Sequence, residues 1–314
     1  MQIYLDNALG HITIDRMIPY WKLYGHNITT NINDNFDVQI SYVRTGLKKK
    51  NRPVILRLDS IYYDSATDYN GRNLEISSSH SVADGIVYQS NYSKMLIEKL
   101  LKPRKMDSRY MVIQNGIDPG WCGAPVEHEG INITVTGKHR RHKRLKEIVD
   151  LFLEYNRLYS DSTLHIFGKL HDNKTIKHKK IKYYGHVDRK YMSDVFKITD
   201  FSIHLSKRDS SPNSVVEYIG AGIPVITTNN CGGATEMCQV TPGCAIIDGD
   251  GDYMDTTPVP HYGEKWNILP DKVKSGIIQS MVEFTKNKRR VELPFELTSE
   301  YMAKKYIQLI QEVL

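Results

Sequence analysis

One stretch limits what this chain can fold into more than any other: residues 206–226, Ser-Lys-Arg-Asp-Ser-Ser-Pro-Asn-Ser-Val-Val-Glu-Tyr-Ile-Gly-Ala-Gly-Ile-Pro-Val-Ile. Ahead of it, residues 201–205 (Phe-Ser-Ile-His-Leu) alternate apolar and polar, as a short strand does. A polar turn follows, with Pro212 where a helix can begin and Asn213 or Ser214 placed to cap it. Val215, Val216 and Ile219 form an apolar stripe, Gly220 and Gly222 end the helix, and residues 223–227 read as a buried strand.

The first amides of such a helix have no partner inside it and carry the positive end of its dipole, so they suit a phosphate. Asp209 lies in the turn before the helix and Glu217 about one turn inside it, with seven residues between them. Acids so placed can accept hydrogen bonds from sugar hydroxyls on either side of a bound diphosphate. Taken alone, the stretch fits equally well an ordinary strand–turn–helix with a capping serine and solvated acids.

Its continuation is more specific. Gly-Ala-Gly-Ile-Pro-Val-Ile at 220–226, then Cys231-Gly-Gly and Glu236, complete a run that resembles the donor-site signature of the family-4 retaining glycosyltransferases of GT-B fold. The first acid here is Asp209, where that family usually has Glu. Residues 111–118 (Met-Val-Ile-Gln-Asn-Gly-Ile-Asp) resemble the family's domain-boundary segment, although a strand ending in an Asn-Gly turn reads the same way. Gly137-Lys138, four residues, Lys143 resembles its Gly-Arg, four residues, Lys pattern. A basic run of this kind also reads as a nucleic-acid patch or a solvated helix start. Gly185-His186-Val187 resembles the loop that meets the nucleobase edge.

The resemblance implies a set of roles. Lys138 and Lys143 would hold the diphosphate together with the amides of Asn213, Ser214 and Val215. Glu217 would accept the ribose hydroxyls, Asp209 would hold the sugar, and Asp59, at the end of the strand predicted over 53–57, would stand close to the transferred group. Catalytic roles would then fall to Asp209, Lys143 and Asp59. Gly10, Gly137, Gly168, Gly185, His186 and Val187 would line the donor. A lysine in place of the family's arginine keeps the charge and gives up the two-pronged fork. The donor would be a UDP- or GDP-sugar, the acceptor a glycan or glycoconjugate, and the reaction retaining. No tightly bound cofactor and no metal are called for, because cations and helix amides would stabilise the leaving diphosphate. Asp248-Gly-Asp250 and Asp250-Gly-Asp252 lack the further ligands of a calcium loop.

At 314 residues, 40% hydrophobic and 25% charged, the chain suits two globular domains. The expected fold class is α/β: two doubly wound Rossmann-like domains facing a central cleft. The acceptor-side domain is expected over 1–122 and the donor domain over 123–296, with a terminal helix over 297–314 crossing back to the first domain. No apolar run is long enough to cross a bilayer and no signal peptide is seen, which points to a cytoplasmic protein, peripheral to a membrane at most. Cys122, Cys231, Cys238 and Cys244 have no zinc spacing and read as free thiols.

The formal charge of +6 is concentrated in residues 138–146 and 174–182, with a further basic loop at 48–52. It fits an anionic small substrate, an anionic membrane surface or nucleic acid. No helix-turn-helix, zinc or aromatic-sheet signature speaks for nucleic acid. The rival readings are a sugar-nucleotide epimerase of the same fold, and a glycosyltransferase or binder acting on nucleic acid.

Remaining elements are expected as strands over 2–5, 38–43, 85–90, 131–136, 163–168, 182–187 and 245–247. Helices are expected over 16–23 (with Asp15 as a possible cap), 79–84, 90–101, 145–155, 191–199, 273–285 and 299–313. Residues 248–270 read as a long loop rich in acids, prolines and glycines.

Overall fold

The structure, a computed structural model, describes residues 1–6, 10–46, 51–62, 68–170, 175–249 and 268–314. The chain divides into two compact units. One contains Met1–Asp118 together with Phe295–Leu314; the other begins at Pro119 and ends at Pro294.

The first unit is built on six parallel strands: β1 (Gln2–Asp6), β2 (Asn27–Thr29), β3 (Val38–Tyr42), β4 (Val54–Leu58), β5 (Gly85–Tyr88) and β6 (Arg109–Val112), in the order β2-β1-β3-β4-β5-β6. Helices α1 (Ile12–Leu23), α2 (Tyr69–His80) and α3 (Asn91–Leu100) make the crossovers. β3 and β4 are buried almost throughout, as parallel strands covered on both faces must be.

α1 starts four residues before the predicted start, at Ile12, because Thr13 and Ile14 are buried and belong to its core face. Asp15 falls in its first turn and does not cap it. The predicted helix over 79–84 is the end of α2 followed by a turn. α2 hides from periodicity analysis because it carries Gly71 and three serines, and Ile76 is its one buried apolar side chain. What starts it is Asp68, which accepts from the Gly71 amide at 2.9 Å. α3 behaves as expected: Ser90 and Ser93 form a reciprocal capping box.

The second unit repeats the plan. Its strands are β7 (Ile131–Thr136), β8 (Ser162–Phe167), β9 (Ile181–Gly185), β10 (Phe201–His204), β11 (Val225–Thr228) and β12 (Ala245–Ile247), all parallel, in the order β12-β11-β10-β7-β8-β9. Its helices are α4 (Leu145–Leu158), α5 (Arg189–Lys197), α6 (Asn213–Gly220), α7 (Gly233–Gln239) and α8 (Asp271–Asn287). Ile148, Val149, Leu151, Phe152 and Tyr155 of α4 and Val273, Ile277, Met281 and Phe284 of α8 pack with Ile133, Leu164 and Ile203 from the strands. The order reverses between β7 and β10, and at such a point the loops leaving the carboxyl ends of neighbouring strands part and open a crevice.

The last helix, α9 (Ser299–Val313), belongs to the first unit. Thr298 caps it, accepting from the Tyr301 amide at 3.1 Å. Met302, Tyr306, Leu309 and Ile310 join the core around α1, and the Trp21 indole donates to the Ala303 carbonyl at 3.1 Å.

All four cysteines are free. No helix among the described residues is long and apolar enough to cross a membrane. Most of the expected 248–270 loop, and Lys48 to Lys50 of the basic loop, lie outside the described residues.

Candidate functional site

In the second unit the chemistry-bearing residues gather where β7 and β10, hydrogen-bonded neighbours, deliver their chains to the carboxyl edge of the sheet. After β7 comes Gly137, Lys138 and a short 3-10 turn, Arg141–Lys143, before α4. After β10 comes the turn that holds Asp209, then α6. Sixty-six positions apart in sequence, the Lys143 ammonium and an Asp209 carboxylate oxygen meet as an ion pair. His204, the last residue of β10, places Nε2 at 3.3 Å from the same oxygen, in electrostatic contact but not aligned as a hydrogen bond.

Both neighbours act on the acid. Burial by itself would raise the Asp209 carboxyl, but the Lys143 charge and then His204 outweigh it and hold it well below the usual carboxylate range. Burial lowers His204, and Asp209 offsets only part of this, so the ring is neutral near pH 7. The result is a permanently ionised, largely covered carboxylate just ahead of a helix.

The turn is pinned from outside. The Gly233 amide donates to the Asp209 carbonyl at 2.7 Å, and a Cβ on Gly233 would lie 1.8 Å from the Ser210 carbonyl oxygen. Only glycine allows that approach, which accounts for the Gly-Gly step after β11. Arg208, immediately before Asp209, is buried with φ +58°, and Arg144, immediately after Lys143, is fully buried with φ +54°. Each member of the ion pair therefore sits beside a buried arginine in the left-handed region, a conformation that side chains adopt at a cost.

α6 starts at Asn213 with Pro212 in the capping position, and no side chain caps it. The expected cap by Asn213 or Ser214 is not made, because both residues are already inside the helix. Val215, in the first turn, is buried. Glu217, one turn in, is 7% exposed, and its carbonyl accepts from the Trp121 indole at 3.0 Å.

Gly137, Gly168 and Gly185 end three adjacent strands and are joined backbone to backbone. The Gly137 amide donates to Phe167 at 3.1 Å and the Gly168 amide to Gly185 at 2.6 Å. A Cβ on Gly168 would lie 2.0 Å from the Gly137 carbonyl oxygen. The three form a ledge free of side chains. His139, buried beneath it, holds its ring nitrogen 2.8 Å from the Phe167 carbonyl, and burial pushes it down to about 4. Lys138 and His186 are exposed at this edge and Val187 is half-buried.

Asp59 and Gly10 belong to the first unit. Gly10, with φ +81°, stands between β1 and α1. Asp59 follows β4 and accepts from Arg57 at 2.6 Å and from the Gln89 side-chain amide. Arg57 is fully buried, donates also to Asn115 at 2.6 Å and lies over the Tyr42 ring at 4.6 Å. Asp6, at the end of β1, accepts from Gln39, Ser41 and the Gly46 amide.

Sequence reasoning missed His204, Arg208, Arg144, Arg57 and Gln89. His204 had a signal: in the alternating run 201–205 it shares a face with Ser202 and is the last strand residue before the acid's turn. No group of three metal-ligating side chains occurs among the described residues. Asp250 and Asp252 lie outside them.

Residues 125–242, which contain this whole arrangement of Lys143, Asp209 and Glu217, match the family described as glycosyl transferases group 1. No curated protein matches the chain. Among solved structures the chain resembles HepE from Anabaena, solved in complex with UDP and glucose, at 10% identity and a TM-score of 0.61, covering 99% of each chain. It resembles the pneumococcal O-GlcNAc transferase GtfA, in complex with UDP and GlcNAc, at 13% identity and a TM-score of 0.60, covering 88% of this chain and 57% of that one. It also resembles TarM, at 11% identity and a TM-score of 0.59, covering 87% of this chain and 54% of that one. The chain thus spans little more than half the length of GtfA and TarM. Residues 125–242 are therefore similar to the glycosyl transferases group 1, within a chain of GT-B fold.

Proposed function

We propose that this chain is a retaining glycosyltransferase that moves a sugar from a nucleotide-diphosphate sugar to a hydroxyl of a glycan or glycoconjugate. The observation that carries the reading is the Lys143–Asp209–His204 cluster, standing before the uncapped α6 in a region that matches glycosyl transferases group 1. UDP and a sugar in HepE and in GtfA support a UDP-sugar as donor, with a GDP-sugar as the alternative.

In this reading the diphosphate lies against the start of α6, next to the amides of Asn213, Ser214 and Val215. Lys143 and Lys138 neutralise it, and Lys143 shares its charge between Asp209 and the phosphate. The negative charge that builds on the leaving diphosphate meets fixed cations and amide dipoles, so the site needs no metal for that step. The ledge of Gly137, Gly168 and Gly185, with His186 and Val187, takes the nucleoside. Glu217 accepts the ribose hydroxyls. Asp209, kept ionised, accepts from hydroxyls of the transferred sugar, and the leaving phosphate takes the acceptor's proton. Asp59 serves the acceptor side.

Thermal-shift titration against a panel of UDP- and GDP-sugars tests the proposal. A donor that binds the folded state raises the midpoint by mass action, by about 2.7 kcal/mol of stability at a hundred times its Kd. A flat response to every member of the panel would sink it.

A further inference from the structure

The first unit carries a surface that the transferase reading leaves unused. β6 is an edge strand, and the loops that lead into β5 and β6 lie side by side at the amino edge of the sheet. Gly85 pairs with Arg109, the Arg109 amide donates to the Asp84 carbonyl at 2.9 Å, and Lys105 pairs with Asp84 at 3.1 Å. The loop between α3 and β6 reaches out from this edge. At its tip Met106 is 103% exposed, as open as a side chain can be. Leu100, at the end of α3, and Val82, in the neighbouring turn, are exposed as well.

Cations lie on the same stretch of chain as Leu100 and Met106. Lys99, Lys102, Lys105 and Arg109 are all exposed, and Lys99, Lys102 and Arg109 enter no ion pair among the described residues. Single exposed apolar side chains are ordinary. A fully exposed methionine on a stretch that also carries Lys102, Lys105 and Arg109, with Lys105 alone of these paired among the described residues, to Asp84 and Asp107, is a different matter, because an interfacial anchor combines these two features: an apolar tip for the acyl boundary and basic groups for anionic headgroups.

We infer that this amino edge docks the chain on an anionic lipid bilayer, with Met106 and Leu100 entering the interface and Lys99, Lys102, Lys105 and Arg109 meeting lipid phosphates. Nucleic acid is the poorer match. The Tyr110 ring at this edge is already engaged by Lys94 at 4.7 Å and Arg104 at 4.4 Å, so a stacking base would have to compete with both cations. Such docking leaves the opposite, carboxyl edge, where Asp6 and Asp59 lie, uncovered.

The test is co-sedimentation of the intact chain, without donor, with vesicles of phosphatidylcholine alone or of phosphatidylcholine mixed with phosphatidylglycerol. Binding is expected only to the mixed vesicles and should weaken as salt rises. Each cation removed lowers partitioning on the order of fivefold, so Lys99→Gln, Lys102→Gln and Arg109→Gln together should lower it roughly a hundredfold. Met106→Asp should lower it about tenfold or more, with the thermal midpoint unchanged because the side chain touches no core. Equal binding to neutral vesicles overturns the inference, as does unchanged binding in either variant. Retention on duplex DNA at salt that strips the vesicles also overturns it. Donor binding is measured separately, so failure here leaves the transferase reading standing.

Discussion

Each unit places a cation and a carboxylate together at the carboxyl edge of its sheet, and the two pairs differ in which partner is covered. In the first unit Arg57 is 1% exposed at its side chain and Asp59 is 46% exposed. The guanidinium is held by Asp59, Asn115 and the Tyr42 ring, so it has no freedom to turn to a ligand. In the second unit the carboxylate of Asp209 is the more covered partner, at 14%, and the cation, Lys143, is 24% exposed on a flexible stem. A fixed fork orients its acid; a lysine at a helix start can turn from its acid toward a phosphate. The same pair chemistry thus fixes the cation in one unit and, in the proposed reading, leaves it able to meet a donor phosphate in the other.

The sharpest way to break this contrast is to remove each cation. Arg57→Ala should destabilise the first unit by about 3–5 kcal/mol, the cost of emptying a large buried site and unpairing its neighbours. The readout is the urea midpoint, and an unchanged midpoint would make the pair incidental. Lys143→Ala should instead lower kcat/KM by about 10²–10³, as the loss of a charge-stabilising donor does, with the larger part in kcat. An activity loss fully explained by unfolding would erase the distinction.

Acid offers the next test. His139, with its ring near 4 in the folded chain, binds its proton more readily when unfolded, where the usual value is about 6.5. Its contribution is complete above about pH 6.5 and is lost as the pH falls toward 4, amounting to about 3 kcal/mol. His139→Gln should flatten the stability–pH curve of the second unit across that window. Asp209 contributes in the same direction at lower pH: its share is full above its ordinary value near 4 and fades only below it. The smallest effect expected is at the cap of α9, where Thr298→Ala should cost about 1 kcal/mol and leave the second unit untouched, read as a shift of one unfolding transition alone.

The strand–helix alternation was legible because buried parallel strands such as residues 54–58 and 131–136 are dense apolar runs, and because α4 and α9 carry clear apolar stripes. α2 was not, since its stability comes from an aspartate cap and from small residues rather than a stripe. The candidate acids and lysines could be named from their spacing together with the family resemblance. Their meeting could not: Lys143 reaches Asp209 only because β7 and β10 are neighbours in the sheet, and strand order is written in no local pattern. His204 and Arg57 were passed over for a related reason. A polar residue inside a strand looks like an outward-facing one until the fold supplies its partner, Asp209 in one case and Asp59 with Asn115 in the other.

Calorimetric titration of UDP-glucose, UDP-GlcNAc and GDP-mannose into the wild-type chain, Lys143→Ala and Glu217→Ala puts the donor site to the most direct test. The expected result is that the wild type binds at least one of the three with a Kd of roughly 1 µM–1 mM. Each variant should weaken that donor by about tenfold or more while keeping its far-UV signal. Equal affinity in the wild type and both variants, or no heat of binding from any of the three, would contradict the account.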